Sequence, residues 1–420
     1  MSILRLAYKS LISRKATVAL SMIAIGISVL LLLGVLRLKS SVQEGFTNTI
    51  SGTDLVVGAR SGEEQLVLAS VFHIGELKNE VSWQTYQHYS NNKQVAWTIP
   101  IALGDSHEGF KVVGTSEAFF DHYQYADKRS LQWADGVVFS DLFDLVLGAE
   151  VAKKEGYKVG DEISIEHGSG EIETHEHEDR HFVVSGVLQP TGTPVDKSIY
   201  ISVTAFEAIH LEYVDGRIDE DLHFSTHELR ELDLVPTKIS AFLVGLKSKT
   251  DLLSVQNDIN NYPREPLTAA SPVFTLVNLW SIMANVEYAL LVITVFVLVV
   301  SLISMLLVLF SGIKERRREM AIFRSMGAST NHVYGLILGE SFLIALCGVV
   351  LGVVLVVLGT FFVGPMLESG YGIMLRPGWS LDAQEALILT GVVLAGLLIG
   401  ILPAYKMHQM TLKDGLSIKL

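Results

Sequence analysis

The chain has 420 residues, 49% of them hydrophobic and only 18% charged, with a net charge of −13. That composition excludes an ordinary soluble protein of this length. The single cysteine excludes a disulfide framework.

Residues 1–15 are a short basic segment with Arg5, Lys9, Arg14 and Lys15. A first membrane span is predicted over 16–38, because Ala16 to Leu36 is a run of 21 residues without a charge. At ~1.5 Å rise per residue such a run crosses ~30 Å of hydrocarbon. Arg37-Leu38-Lys39 follows with no small-x-small cleavage site, so the segment reads as an uncleaved anchor.

Residues 39–285 are polar and long enough to fold alone, as a large mixed α/β extracytoplasmic domain. ISIEH (163–167), HFVVSGVL (181–188), SIYIS (198–202) and TKISAFLVGL (237–246) are rich in β-branched residues and predict strands. TAFEAIHLEY (204–213) and DLLSVQNDINNY (251–262) have helical spacing. QPTGTPVD (189–196) is a turn cluster, and RIDEDLHFSTHELRELD reads as a polar, partly mobile lobe. There is no repeat long enough to indicate a solenoid.

Eleven of the thirteen histidines fall between His73 and His227. His177 to His181 spells H-E-x-x-H, the pattern of zinc metalloproteases. A zincin needs it on a helix with a buried apolar face, whereas here it lies between two strand-like runs, in a long hairpin loop. Two readings stay open for His167, His175, His177 and His181: a solvated loop, or a weak site for zinc or another divalent metal. No G-x-S-x-G elbow occurs, and the short basic patches adjoin the bilayer, which argues against an enzyme and against nucleic acid binding.

A second span is predicted over 286–313, a cytoplasmic helix (the candidate coupling helix) over 314–332, a third span over 333–367, a short outer loop over 368–385, a fourth span over 386–404 and a cytoplasmic tail over 405–420. The expected membrane domain is therefore four helices grouped one plus three. Gly348 and Gly352 stand four apart, as do Gly396 and Gly400, a spacing that lets helix backbones approach in lipid. Glu340, inside the third span, is either a buried polar contact that transmits motion or a carboxylate snorkelling to the headgroups. Residues 38–284 carry 18 Lys/Arg against 37 Asp/Glu, a net of −19, and the remainder 14 against 8, a net of +6. Basic residues mark the cytoplasmic side, so both termini lie inside and the acidic domain outside.

SGIKERRREMAIFRSMGAST (311–330) is basic and amphipathic: Met320, Ile322, Phe323 and Met326 offer an apolar face, and Gly327 a helix stop. As chemistry it is an interfacial helix held by anionic membrane lipid, or a docking helix for a cytoplasmic partner. It resembles the E-R-x-x-E-I/M-x-x-x-R-x-x-G-A motif of the MacB/FtsX-like permeases of ABC transporters, at Glu315-Arg316, Glu319-Met320, Arg324 and Gly327-Ala328. LGAEVAKKEGYKVGDEISI (147–165) and LPAYKMHQMTLKDGL (402–416) are similar to that family's exported-domain signature and C-terminal pattern, and TDLVVGARSGEEQLVLASVFHI (53–74) resembles exported domains of its stand-alone members.

The resemblance implies that a cytoplasmic ABC ATPase couples at Lys314, Glu315, Arg316, Glu319, Met320, Phe323, Arg324 and Gly327. ATP-driven closure of the membrane helices then moves the outer domain mechanically. MacB carries its nucleotide-binding domain fused, but no Gly-Lys dipeptide occurs here, so no phosphate loop is present. ATP with magnesium is accordingly expected on a separate ATPase chain. The expected protein is a non-catalytic efflux or extraction permease of a bacterial inner membrane, pairing as a homodimer, with a periplasmic adaptor or lipoprotein as further partner. The rivals are an FtsX-like regulator of a cell-wall hydrolase and a membrane-anchored metalloprotease.

The charge split gives the first prediction. In intact cells carrying a Cys347-free background, an impermeant thiol reagent labels Gly170→Cys and leaves Thr330→Cys unlabelled; the opposite pattern inverts the topology.

Overall fold

The computed structural model describes residues 11, 14–126, 128–167, 176–211, 213–214, 217–218, 224–325, 330–371 and 381–414. The chain divides into two compact units, residues 1–42 with 283–420, and residues 43–282.

In chain order the principal elements are α1 (Lys15–Thr49), β1 (Leu55–Ala59), α2 (Glu63–Phe72), α3 (Trp83–Ser90), β2 (Val95–His107), β3 (Phe110–Thr115), α4 (Ala118–His122), β4 (Trp133–Gly136), β5 (Asp144–Leu147), α5 (Ala149–Glu155), β6 (Glu162–His167), β7 (Glu176–Leu188), β8 (Ser198–Ser202), α6 (Val203–His210), α7 (Thr226–Glu231), β9 (Ala241–Leu246), α8 (Leu252–Asn260), β10 (Leu267–Ala270), α9 (Pro272–Ser325), α10 (Thr330–Tyr371) and α11 (Ala383–Asp414).

Unit 43–282 is built on one mixed sheet in the order β10-β1-β9-β2-β3-β8-β5-β7-β4, with β6 pairing both β7 and β2. β2 hands over midway: Val95 to Ile101 pair with β9, and Ala102 to His107 with β3. β8 runs parallel to β3, and β7 parallel to β5. Strand side chains alternate faces, and the core follows that period of two. Val56, Val146, Tyr200 and Leu243 face one continuous cluster. Their neighbours Leu55 and Val57, with Phe242 and Val244, pack on the other face beneath α3 and α8. Leu145, Leu147, Ile199 and Ile201 do the same beneath α6.

Several expectations need adjustment. The run 237–246 is split at Ser240, whose Oγ accepts the Leu103 N–H at 2.9 Å in place of a strand partner. The helix expected over 204–213 spans Val203–His210, with Ser202 Oγ capping the Ala205 N–H. The polar lobe is not featureless: Thr226–Glu231 is a helix with a Ser225/Glu228 capping box, and Leu229 is fully buried.

Among the described residues, four helices are long and apolar enough to cross a membrane: Lys15–Thr49, Pro272–Gly312, Tyr334–Leu367 and Ala383–Met407. Small residues set their contacts. A Cβ added at Gly348 would stand 2.7 Å from Ile25 Cβ, and one at Gly352 would stand 2.5 Å from Val29 Cβ and 2.9 Å from Gly26 O. At Gly396 it would meet Ala345 Cβ at 2.6 Å, and at Gly400 the Ser341 hydroxyl. Glu340 is 2% exposed, so its side chain faces the bundle and does not reach outward.

Gly352→Val overpacks the contact with α1 at a cost of roughly 1–3 kcal/mol. It should lower the thermal midpoint of the purified protein in detergent, whereas Gly359→Val, where an added Cβ meets nothing within 4 Å, should leave it unchanged. Equal midpoints would remove close packing as the reason for Gly352.

Candidate functional site

Lys314, Glu315, Arg316, Glu319, Met320, Phe323 and Arg324 all lie in the last turns of α9. The described part of the expected coupling helix is helical through Ser325 and continuous with the second span, in one helix of 54 residues. The physical reason is composition, since Lys, Glu, Arg, Met and Ala propagate a helix at little cost and no proline intervenes. Gly327, expected as the stop, lies outside the described residues, and α10 begins at Thr330. Arg316, Met320 and Arg324 recur every fourth residue in the sequence. Just before them, the Arg14 Nη2 donates to the Gly312 carbonyl at 2.8 Å, and Gly312 leaves room for that guanidinium. Sequence reading took Arg14 only as an inside charge.

The same helix begins in the core of unit 43–282. Leu276 is buried there, with Leu279 and Trp280 packed against the same cluster. Phe46, near the end of α1, sits 4.4 Å from the Phe72 ring and 5.7 Å, edge-on, from Trp280. The last carbonyls of a helix have no partner within it. For α1 they are taken by the fold: Ala126 N–H donates to Asn48 O at 2.6 Å, and the Tyr123 hydroxyl donates to Thr49 O. Burial holds the Tyr123 phenol well above its ordinary range, so it stays a donor.

His73 closes α2 in the left-handed conformation, φ 55°. Its Nδ1 lies 3.0 Å from Ser198 Oγ, which donates to Pro194 O when the ring takes no proton from it. Desolvation, with Lys111 adding repulsion, lowers the imidazole pKa to about 4.

A second polar contact lies in the membrane-type unit. Arg37 Nε and Nη2 donate to Glu385 Oε1 and Oε2 at 2.7 and 2.9 Å, a bidentate pair 348 residues apart in sequence. The side chains are 5% and 11% exposed. Glu385 also accepts the Asp382 N–H, capping α11. Sequence reading left Glu385 at the end of a loop and Arg37 as a flank; a charge at the margin of each of two spans was the only signal.

The histidines are placed differently from expectation. His167 ends β6, while His177 and His181 belong to β7 rather than to a loop; His175 lies outside the described residues. β7 runs on through polar sequence because β6 supplies its backbone partners, as at Glu176↔Glu166 and His181↔Ser164. His177 and His181 therefore lie on a strand and not on the helix that a zincin requires.

Sequence comparison matches residues 18–262 to the MacB-like periplasmic core domain and residues 291–412 to the FtsX-like permease C-terminal domain. Among solved structures the chain is similar to the periplasmic region of MacB from Actinobacillus actinomycetemcomitans, at 12% identity and TM-score 0.33, over 55% of this chain and 94% of that one. No curated protein matches the sequence.

The His73 geometry generates a pH prediction. In the unfolded chain the ring protonates near 6.5, while in the fold it stays neutral down to about 4. The unfolded state thus binds more protons in that window, and stability falls with decreasing pH by up to about 1.4 kcal/mol per unit. Urea titrations followed by tryptophan fluorescence should show this slope reduced in His73→Gln; identical slopes would mean the ring protonates freely in the fold.

Residues 18–262 and 291–412 together account for most of the sequence, and the chain belongs to the MacB/FtsX-like permease family of ABC transporters.

Proposed function

We propose that this permease is the membrane subunit of an ATP-driven system in a bacterial inner membrane, which converts hydrolysis by a separate cytoplasmic ATPase into movement of its periplasmic domain. In this reading two copies pair, each recruits one ATPase subunit, and the movement drives efflux or extraction of a substrate. The permease itself carries out no chemistry, and ATP with magnesium is bound by the partner.

One observation supports this above others. A single helix, α9, carries the family motif in its last turns and the core residues Leu276 and Trp280 in its first. An intact helix transmits displacement along its hydrogen-bonded length, whereas a loop at 313 or 286 would absorb it. The last carbonyls of α1 are capped within the periplasmic domain.

At the cytoplasmic end, Lys314, Arg316 and Arg324 offer guanidinium and ammonium groups to partner carboxylates. Met320 and Phe323 offer apolar anchors of the kind that carry most of an interface's energy, about 2 kcal/mol or more each on truncation. Glu315 and Glu319 recur four apart and pair with partner cations.

Arg324→Glu and Phe323→Asp should each abolish co-purification of the ATPase while the permease still inserts and pairs. Undiminished co-purification with normal stimulation of hydrolysis would exclude this helix as the coupling site.

A further inference from the structure

Unit 43–282 contains a cavity of about 790 Å³ that the coupling elements do not use. It lies between α3, the ends of β2 and β3, the loop before β5, the start of α6 and the segment after α7. Its volume falls in the ~300–1,000 Å³ range that accommodates a small organic ligand.

The lining is aromatic on one side. Trp83 and Tyr86 stand 4.6 Å apart with their planes inclined by 32°, and Phe139 contributes from the opposite loop. Tyr86 is fixed by a hydrogen bond between its hydroxyl and Thr98 Oγ1 at 3.2 Å.

The charges are unequal. Glu117, Asp141 and Asp233 line the cavity, with Arg230 as the one cation among the described lining residues. Arg230 is already committed: its Nε and Nη2 donate to the Asp141 carboxylate at 2.9 to 3.2 Å, and its guanidinium lies 5.4 Å from the Phe143 ring. Asp141 and Arg230 therefore cancel. Glu117 and Asp233 are exposed to solvent, and no cation of the described residues pairs with either. The cavity keeps a net negative charge inside a domain segment that is itself strongly acidic.

Aromatic faces and unpaired carboxylates in one cavity attract the same ligand class. Ring faces bind cations through their quadrupoles, carboxylates bind them by charge, and both repel anions. We infer that this cavity is a binding site for an organic cation of drug-like size, its apolar body against Trp83 and Tyr86 and its charged group held by Glu117 and Asp233. A bare metal ion fits less well, since the aromatic wall gives it no ligands.

Tetraphenylphosphonium and tetraphenylborate have nearly the same shape and opposite charge, so they separate charge recognition from partition into apolar surroundings. Equilibrium binding of each is measured on the full-length permease in nanodiscs of zwitterionic lipid, without ATPase, so that a failure here is distinct from a failure of coupling. The expected result is saturable binding of tetraphenylphosphonium at one site per chain and none of tetraphenylborate. The exposed double variant Glu117→Gln/Asp233→Asn, which disturbs no buried contact, should weaken it at least tenfold. Trp83→Leu should do likewise, with retention of the native elution profile as the check on folding. Equal uptake of both ions, non-saturating uptake, or undiminished binding in the double variant would overturn the assignment.

Discussion

The last turn of α1 cannot satisfy its own carbonyls, and the fold of unit 43–282 is arranged around supplying their partners. Asn48 O and Thr49 O receive hydrogen bonds from Ala126 and Tyr123. Tyr123 in turn stacks on Phe119, which stacks on Tyr200 in the middle of the sheet. Phe46, Phe72 and Trp280 complete the junction by tying that helix end to the start of α9.

The membrane-type unit solves a different problem. Apolar side chains gain nothing by leaving lipid for one another, so association there rests on close packing and on polar contacts. Gly348 and Gly352 receive the Cβ atoms of Ile25 and Val29, and the Ser28 and Ser301 hydroxyls meet at 3.0 Å between α1 and α9. A carboxylate such as Glu340, 2% exposed, is costly in such surroundings and is held toward the bundle.

The parts legible in the sequence are those where the solvent dictates a simple pattern. Four apolar stretches read as spans because hydrocarbon tolerates little else. SIYIS, with Ile199 and Ile201 on one face and Tyr200 on the other, forms the expected strand. The motif residues Glu315 to Arg324 could be named because a family pattern pointed to them. What escaped depends on tertiary partners. Nothing near Glu176 announces a strand; β6 makes it one. Nothing near Thr226 except Ser225 and Glu228 announces a buried helix, and burial of Leu229 decides it. The cavity at Trp83 assembles side chains from positions 83 to 236, which no local pattern could join.

The Arg37–Glu385 pair shows how such a long-range contact constrains movement. Each charge alone, at 5% or 11% exposure, would carry a desolvation penalty of several kcal/mol. Two parallel hydrogen bonds offset that penalty only while the guanidinium and carboxylate stay in register. Separation without rehydration would leave two uncompensated ions, so this contact resists small relative shifts of α1 and α11 more steeply than the surrounding apolar packing does.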